Sequence, residues 1–211
     1  MISLAEYMRD PCGMLSIPYW KAKGITVPEG IRIVHDRNFA PEQYSEYEDA
    51  RYFRIMHDLN CLSEADAQLT VLQTINRSEL DAVVQMINAC YTDLQVSSEQ
   101  LTSYINTPTY APALWVWALD QVSGERMGCG IAAFDAEAVE ISLEWIQVLP
   151  QYRRRGVGQA IVCELLRRKP ENAHFATVSG KLDSVLAPEA LYRKCGFAGD
   201  DVWHILRKSG K

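Results

Sequence analysis

The sequence predicts an α/β (α+β) fold, a mixed and mostly antiparallel sheet with helices on both of its faces. Two observations carry this. From Leu69 onward the apolar spacing switches between period two and period three-to-four, in the order β-α-α-β-β-β-α-β-α-β. The three central strands also follow one another through short turns, which makes them antiparallel neighbours.

Each element has a local reason. Leu69 to Ile75 alternates as a strand does. Ser78, followed by Glu79 and Asp81, reads as a helix N-cap. Leu80, Val83, Val84, Ile87, Cys90 and Tyr91 then keep the spacing of one buried helix face. Ser97 and Gln100 have the spacing of a capping box before Leu101, Tyr104 and Ile105. Pro108 and Pro112 mark a loop. Strands are expected over Ala113–Leu119, Met127–Phe134 and Val139–Val148, and Pro150 ends the third because it cannot donate to a ladder. A helix from Gly156 to Lys169 stops at Pro170, and Phe175–Val178 forms a short strand. Pro188 suits the first turn of a helix running to Cys195, with Gly196 as its left-handed C′ residue. Val202–Leu206 is the last strand.

Residues 1–66 differ in character. They are rich in Tyr, Trp, Pro and acids, and their periodicity is weak apart from Ile31–Val34 and Tyr52–Met56, which fit short strands. The chain is therefore divided into an N-terminal extension, 1–66, and a main domain, 67–211.

Composition narrows the function. A chain of 211 residues, 48% hydrophobic, holds a core without staples. Its net charge of −6 makes it a poor general polyanion binder, so a nucleic-acid partner is not expected. Cysteines 12, 61, 90, 129, 163 and 195 form no metal or redox spacing. No apolar run reaches bilayer length and none near the start suits a signal peptide, so reduced thiols, a cytoplasmic location and no membrane partner are expected. The four histidines are scattered, and no metal is expected. No Gly-x-Ser-x-Gly elbow is present.

The stretch that carries chemistry runs from Glu144 to Ala160. A strand ends, and an Arg- and Gly-rich turn opens directly into a helix. A helix start presents unpaired N–H groups and partial positive charge. Gly156 and Gly158 let a diphosphate approach the backbone, and Arg153, Arg154 and Arg155 add fork-shaped donors. Residues 153–169 carry a local net charge of +5 in an acidic chain. Ile161 stands where a dinucleotide fold needs a third glycine, and the Gly-Lys-Ser/Thr of a P-loop is missing. The segment reads as a phosphate cradle of neither kind. In a second stretch, Pro188 to Phe197, a left-handed Gly196 would bring Phe197 against Tyr192 and hold that phenol at the helix end. Tyr192 there either packs and caps or lends a proton.

Together, Arg153-Arg154-Arg155-Gly156-Val157-Gly158 and Leu191-Tyr192-Arg193-Lys194-Cys195-Gly196-Phe197 resemble the coenzyme A motif and the Leu-Tyr-x-x-x-Gly-Phe motif of the GNAT superfamily of acyl-CoA-dependent N-acetyltransferases. The likeness covers about two thirds of the chain. It departs at Val185, seven residues before the tyrosine, where many members have Asn. The resemblance implies a GNAT-type sheet and acetyl-CoA as acyl donor. The donor would lie where the strand ending at Val148 splays from the strand before the last helix. Backbone groups of Ile146 and Val148, with Gln147 between them, would hold the pantetheine arm. Arg153, Arg154, Arg155, Gly156, Val157, Gly158, Gln159 and Ala160 would hold the diphosphate, with Arg154 facing either it, water or the 3′-phosphate.

For the chemistry, Tyr192 is the candidate acid and Glu144 the candidate base. Strand alternation places Glu140, Ser142, Glu144 and Ile146 on one face, and a bulge would put a neighbour in place of Glu144. A covalent route through Cys195 is the less favoured reading. The expected partner is a small-molecule or peptide amine. The N-terminal extension either packs across the acceptor side or makes a homodimer contact. The alternative function is a non-catalytic acyl-CoA sensor.

Overall fold

The structure is a computed structural model and describes residues 2–65, 70–91 and 94–208. Three short helices open the chain: α1 (Leu4–Tyr7), α2 (Pro11–Met14) and α3 (Tyr19–Ala22). Two strands follow, β1 (Ile31–His35) and β2 (Tyr47–His57). The remainder is β3 (Thr70–Thr74), α4 (Leu80–Cys90), α5 (Ser98–Ile105), β4 (Tyr110–Asp120), β5 (Arg126–Asp135), β6 (Glu140–Val148), α6 (Val157–Arg167), β7 (Phe175–Lys181), α7 (Pro188–Lys194) and β8 (Ala198–Lys208). The order expected from Leu69 onward is the order found, although Leu69 itself lies outside the described residues.

Among the described residues the strands form one sheet in the order β1-β8-β2-β7-β6-β5-β4-β3. The β6–β7 pair is parallel and the other pairs are antiparallel. Residues 31–57 thus share the sheet with the rest of the chain, and β2 lies between β7 and β8. The 66/67 boundary falls in the connection between β2 and β3.

One face of the sheet carries α6 and α7. Leu114, Val116, Ala132, Ile141, Leu143, Ala176 and Val178 pack there against Ile161, Val162 and Leu165. The opposite face carries α4 and α5 over Trp115, Trp117, Cys129 and Ile131, with α1 and α3 beside them over Phe175.

The two expected helix caps fare differently. The capping box at Ser97 forms as expected, with the Ser97 N–H donating to Gln100 Oε1 at 2.8 Å. The Ser78 cap does not. The turn starts at Asn76, whose N–H donates to Glu79 Oε2 at 2.9 Å, and a 3₁₀ turn over Arg77–Glu79 leads into α4. Asn caps as well as Ser, and Glu79 stands at the third position after Asn76 where the reciprocal acceptor is needed.

The end of β2 is expected to respond to pH. His57 is buried, its Nδ1 accepts from the Leu59 N–H at 2.8 Å, and its ring meets Phe197 edge-on at 5.4 Å. Burial pulls its pKa below the ordinary 6.5, against the opposing pull of Asp58. A neutral His57 therefore contributes stability that is fully present above the unfolded value and is lost as pH falls through the folded one. Urea midpoints should drop between about pH 7 and about pH 5 more steeply in the wild type than in His57→Gln. Equal slopes would contradict this.

Candidate active site

The β6–β7 ladder runs from Glu140↔Phe175 to Leu143↔Val178 and ends there, although β6 continues to Val148 and β7 to Lys181. The two strands part. The Leu149 N–H donates to Met127 O at 2.9 Å across the β5–β6 pair. By antiparallel alternation Gln147 therefore faces β5, and the backbone groups of Ile146 and Val148 face the gap.

A cleft of about 460 Å³ opens at this gap. Ile146, Gln147 and Val148 form one wall, Arg153, Arg154, Gly156, Gly158 and Gln159 a second, and the 185–188 loop with Leu191, Tyr192 and Lys194 a third. Gly156 caps α6 in the left-handed conformation, φ +81°, which a residue with a Cβ adopts only with strain. The Ala160 N–H donates to Gly156 O at 2.9 Å, so the earlier N–H groups of Val157, Gly158 and Gln159 are the ones a helix start leaves over. Arg154 is also left-handed, φ +63°, a strain that a loop carries only where its surroundings impose it.

The expected cradle residues divide into three roles. Eight of them line the cleft: Ile146, Gln147, Val148, Arg153, Arg154, Gly156, Gly158 and Gln159. Val157 and Ala160 turn their side chains into the core. Arg155 stands over the Tyr152 ring at 5.4 Å, away from the cleft lining. Arg153 is already engaged, donating through Nε to Val148 O at 3.0 Å and through Nη2 to Cys90 O at 3.3 Å. It ties the end of β6 to the end of α4.

Helix α7 ends as its sequence predicts. Gly196 has φ +94°, the Phe197 N–H donates to Tyr192 O at 3.1 Å and the Gly196 N–H to Arg193 O at 3.1 Å. This is the Schellman pattern, and it brings the Tyr192 and Phe197 rings to 5.8 Å. Burial holds the Tyr192 phenol above its ordinary range, and Tyr91 and Cys195 add to the shift. Tyr192 stays protonated and faces the cleft. Cys195 is buried, and its hydrogen bond with Cys163 and its burial push the thiol far up, which leaves it a poor nucleophile.

Glu144 lies elsewhere. Register shifts between Ile131↔Trp145 and Ala132↔Leu143, so Glu144 is the extra residue of a bulge. The alternation expected over Glu140, Ser142, Glu144 and Ile146 therefore fails at its last member. Ile146 packs with the α6 face, whereas Trp145 packs with the α4–α5 face. Glu144 stays with Ser142, whose Oγ donates to Glu144 Oε1 at 2.8 Å, and its Oε2 is ion-paired with Lys21. Trp20 Nε1 donates to Ser142 Oγ at 3.1 Å. Glu144 thus borders the gap from the face opposite the cleft. Beneath it lies a buried network. Arg54 Nη2 donates to Glu140 Oε1 at 3.2 Å and to the Tyr7 hydroxyl at 2.8 Å, and that hydroxyl donates to Glu140 Oε2 at 2.7 Å. Lys21, Trp20 and Tyr91, the last accepting from Gln147 Nε2 at 3.0 Å, carry no motif that sequence reasoning could have found.

Residues 112–198 match the family model of the acetyltransferase (GNAT) domain. The chain carries the GNAT-superfamily acetyltransferase fold. It is similar to the GCN5-related N-acetyltransferase from Sphaerobacter thermophilus, with TM-score 0.66 and 16% identity over 86% of this chain and 61% of that one. A functionally unknown conserved protein from Staphylococcus epidermidis aligns with 100% of this chain and 82% of its own, at TM-score 0.57 and 10% identity. The ribosomal-protein-S18-alanine N-acetyltransferase from Escherichia coli aligns over 68% of this chain and 96% of its own, at TM-score 0.52 and 17% identity. At these identities the likeness is one of fold. No curated protein matches the chain. No helix among the described residues is long and apolar enough to cross a membrane.

Proposed function

We propose that the protein transfers an acetyl group from acetyl-CoA directly to a primary amine of a small molecule or peptide. The observation that carries this is the parting of β6 and β7 beside the start of α6, which sets a β6 edge no longer laddered to β7, its Val148 carbonyl held by Arg153, and a helix N-terminus around one cleft. A pantetheine arm would add to the edge at Ile146 and Val148 as a short strand. A diphosphate would meet the N–H groups of Val157, Gly158 and Gln159, with Arg154 beside it. One N–H of the β6 edge would polarise the thioester carbonyl.

The attacking amine has to lose a proton, because an alkylamine titrates near ~10. Glu144 borders the gap from the acceptor face and accepts that proton. Tyr192, held protonated in the cleft, donates a hydrogen bond to the departing sulfur. In this reading residues 67–211 carry the transfer, and residues 1–66 complete the sheet and cover the acceptor face.

Coenzyme A release from acetyl-CoA across a panel of polyamines, amino acids, aminoglycosides and lysine peptides tests the proposal. Release with at least one amine is expected. Acetyl-CoA binding without release across the whole panel would favour the sensor instead. Tyr192→Phe should lower kcat by about 100-fold with little change in the KM for acetyl-CoA. Unchanged turnover would remove the phenol from catalysis.

A further inference from the structure

Lys21 is a largely buried amine fastened to β6 where that strand leaves β7, on the face opposite the cleft. Its ammonium is ion-paired with Glu144 Oε2, and the two side chains are 22% and 5% exposed. It lies 5.3 Å from the Trp20 ring and 5.5 Å from the Tyr104 ring, so a carboxylate and two aromatic faces surround it. Glu144 immediately follows the last β6–β7 pair, and Ile146, about 7 Å further along the strand, lines the cleft. The ammonium is thereby held one residue past the last β6–β7 pair, where an acyl group reaching through the gap would meet it.

We propose that the protein acetylates its own Lys21; this rests on the transfer activity proposed above. Glu144 takes one proton from the ammonium and passes it to solvent. The freed lone pair attacks the thioester carbonyl carbon of acetyl-CoA. A C–N bond forms, the C–S bond breaks, and the second departing N–H proton goes to the sulfur, which leaves as the thiol. The product amide is uncharged, so the ion pair is lost and Glu144 keeps Ser142 as its remaining partner. The step occurs once per chain and frees the carboxylate for external amines.

Lys23 is the internal control. It lies two residues away at the end of the same helix, pairs with Glu137 on the surface and is more exposed, at 39%. Chemical acetylation would reach Lys23 first.

The test incubates the full-length protein with acetyl-CoA and follows acetyl incorporation by peptide mass mapping. The expected result is incorporation at Lys21 ahead of Lys23, at a first-order rate unchanged on dilution and slowed about 100-fold or more in Glu144→Gln. Lys21→Arg, which keeps the cation, should lose the label at that position. Lys23 modified ahead of Lys21, or an equal Lys21 rate in Glu144→Gln, would mean chemical acetylation only and overturn the proposal. External amines acetylated with Lys21 unmodified would overturn it too, while leaving the transfer activity standing. No transfer to any amine would remove both.

Discussion

Gly156→Glu is expected to weaken acetyl-CoA binding by about 100-fold or more while leaving a folded protein. The residue caps α6 in the left-handed region and lines the cleft. A side chain there costs about 1 kcal/mol of backbone strain, which a domain of this size tolerates. The larger effect is electrostatic. A carboxylate at this position would occupy the N–H groups of the first turn and repel a diphosphate. Calorimetry should show Kd raised by about 100-fold or more, roughly 3 kcal/mol. Gly156→Ala separates the two contributions, since it adds the strain without the charge, and should weaken binding far less. Equal Kd values for the wild type and Gly156→Glu would show that the cradle is not where a diphosphate binds.

The second large effect is on stability. Arg54 and Glu140 are 1% and 0% exposed and form an ion pair in the middle of the sheet. Arg54 also donates to Pro11 O at 3.3 Å, Ser179 Oγ at 3.2 Å and Thr177 Oγ1 at 3.2 Å, so it fastens the N-terminal helices to β7. Arg54→Ala would leave the Glu140 charge buried without its cation and open a cavity. A loss of about 3–5 kcal/mol is expected, or roughly 10 °C in Tm. The double variant Arg54→Met with Glu140→Leu should recover much of it, because it leaves neither an orphaned charge nor the full cavity. Thermal melts of the single and double variants decide this. A single variant as stable as the wild type would mean that the network contributes little.

Most parts of the molecule that depend on nearby residues were legible in the sequence, the cap at Asn76 rather than Ser78 being an exception. Gly196 and Phe197 specify the end of α7, and with it the placement of Tyr192, within six residues. Pro150, the arginines and Gly156 likewise specify the turn into α6. What depends on distant partners was not legible. β2 carries Glu48, Asp49, Arg51 and Arg54, so its pattern does not look like that of a strand between two others. Arg54 is tolerated there because Glu140, 86 residues away, lies opposite. The bulge at Glu144 adds a residue without changing composition, and alternation alone therefore placed Ile146 on the wrong face. Lys21 sits in a segment with no periodicity, and its ion pair spans 123 residues. The cationic side of the cleft was legible as the +5 of residues 153–169, whereas the pairing of Glu140 with Arg54 and of Glu144 with Lys21 on the far face was not.

The claim on which everything rests is that acetyl-CoA enters the gap where β6 leaves β7. The most direct measurement is a titration of isotopically labelled protein with acetyl-CoA, followed through backbone amide resonances. The amides of Ile146, Val148, Val157, Gly158 and Gln159 should shift together and saturate at a common Kd, whereas β1 and β3, at the two ends of the sheet, stay still. Saturation with those five amides unmoved, or no shift anywhere at millimolar ligand, would contradict the account.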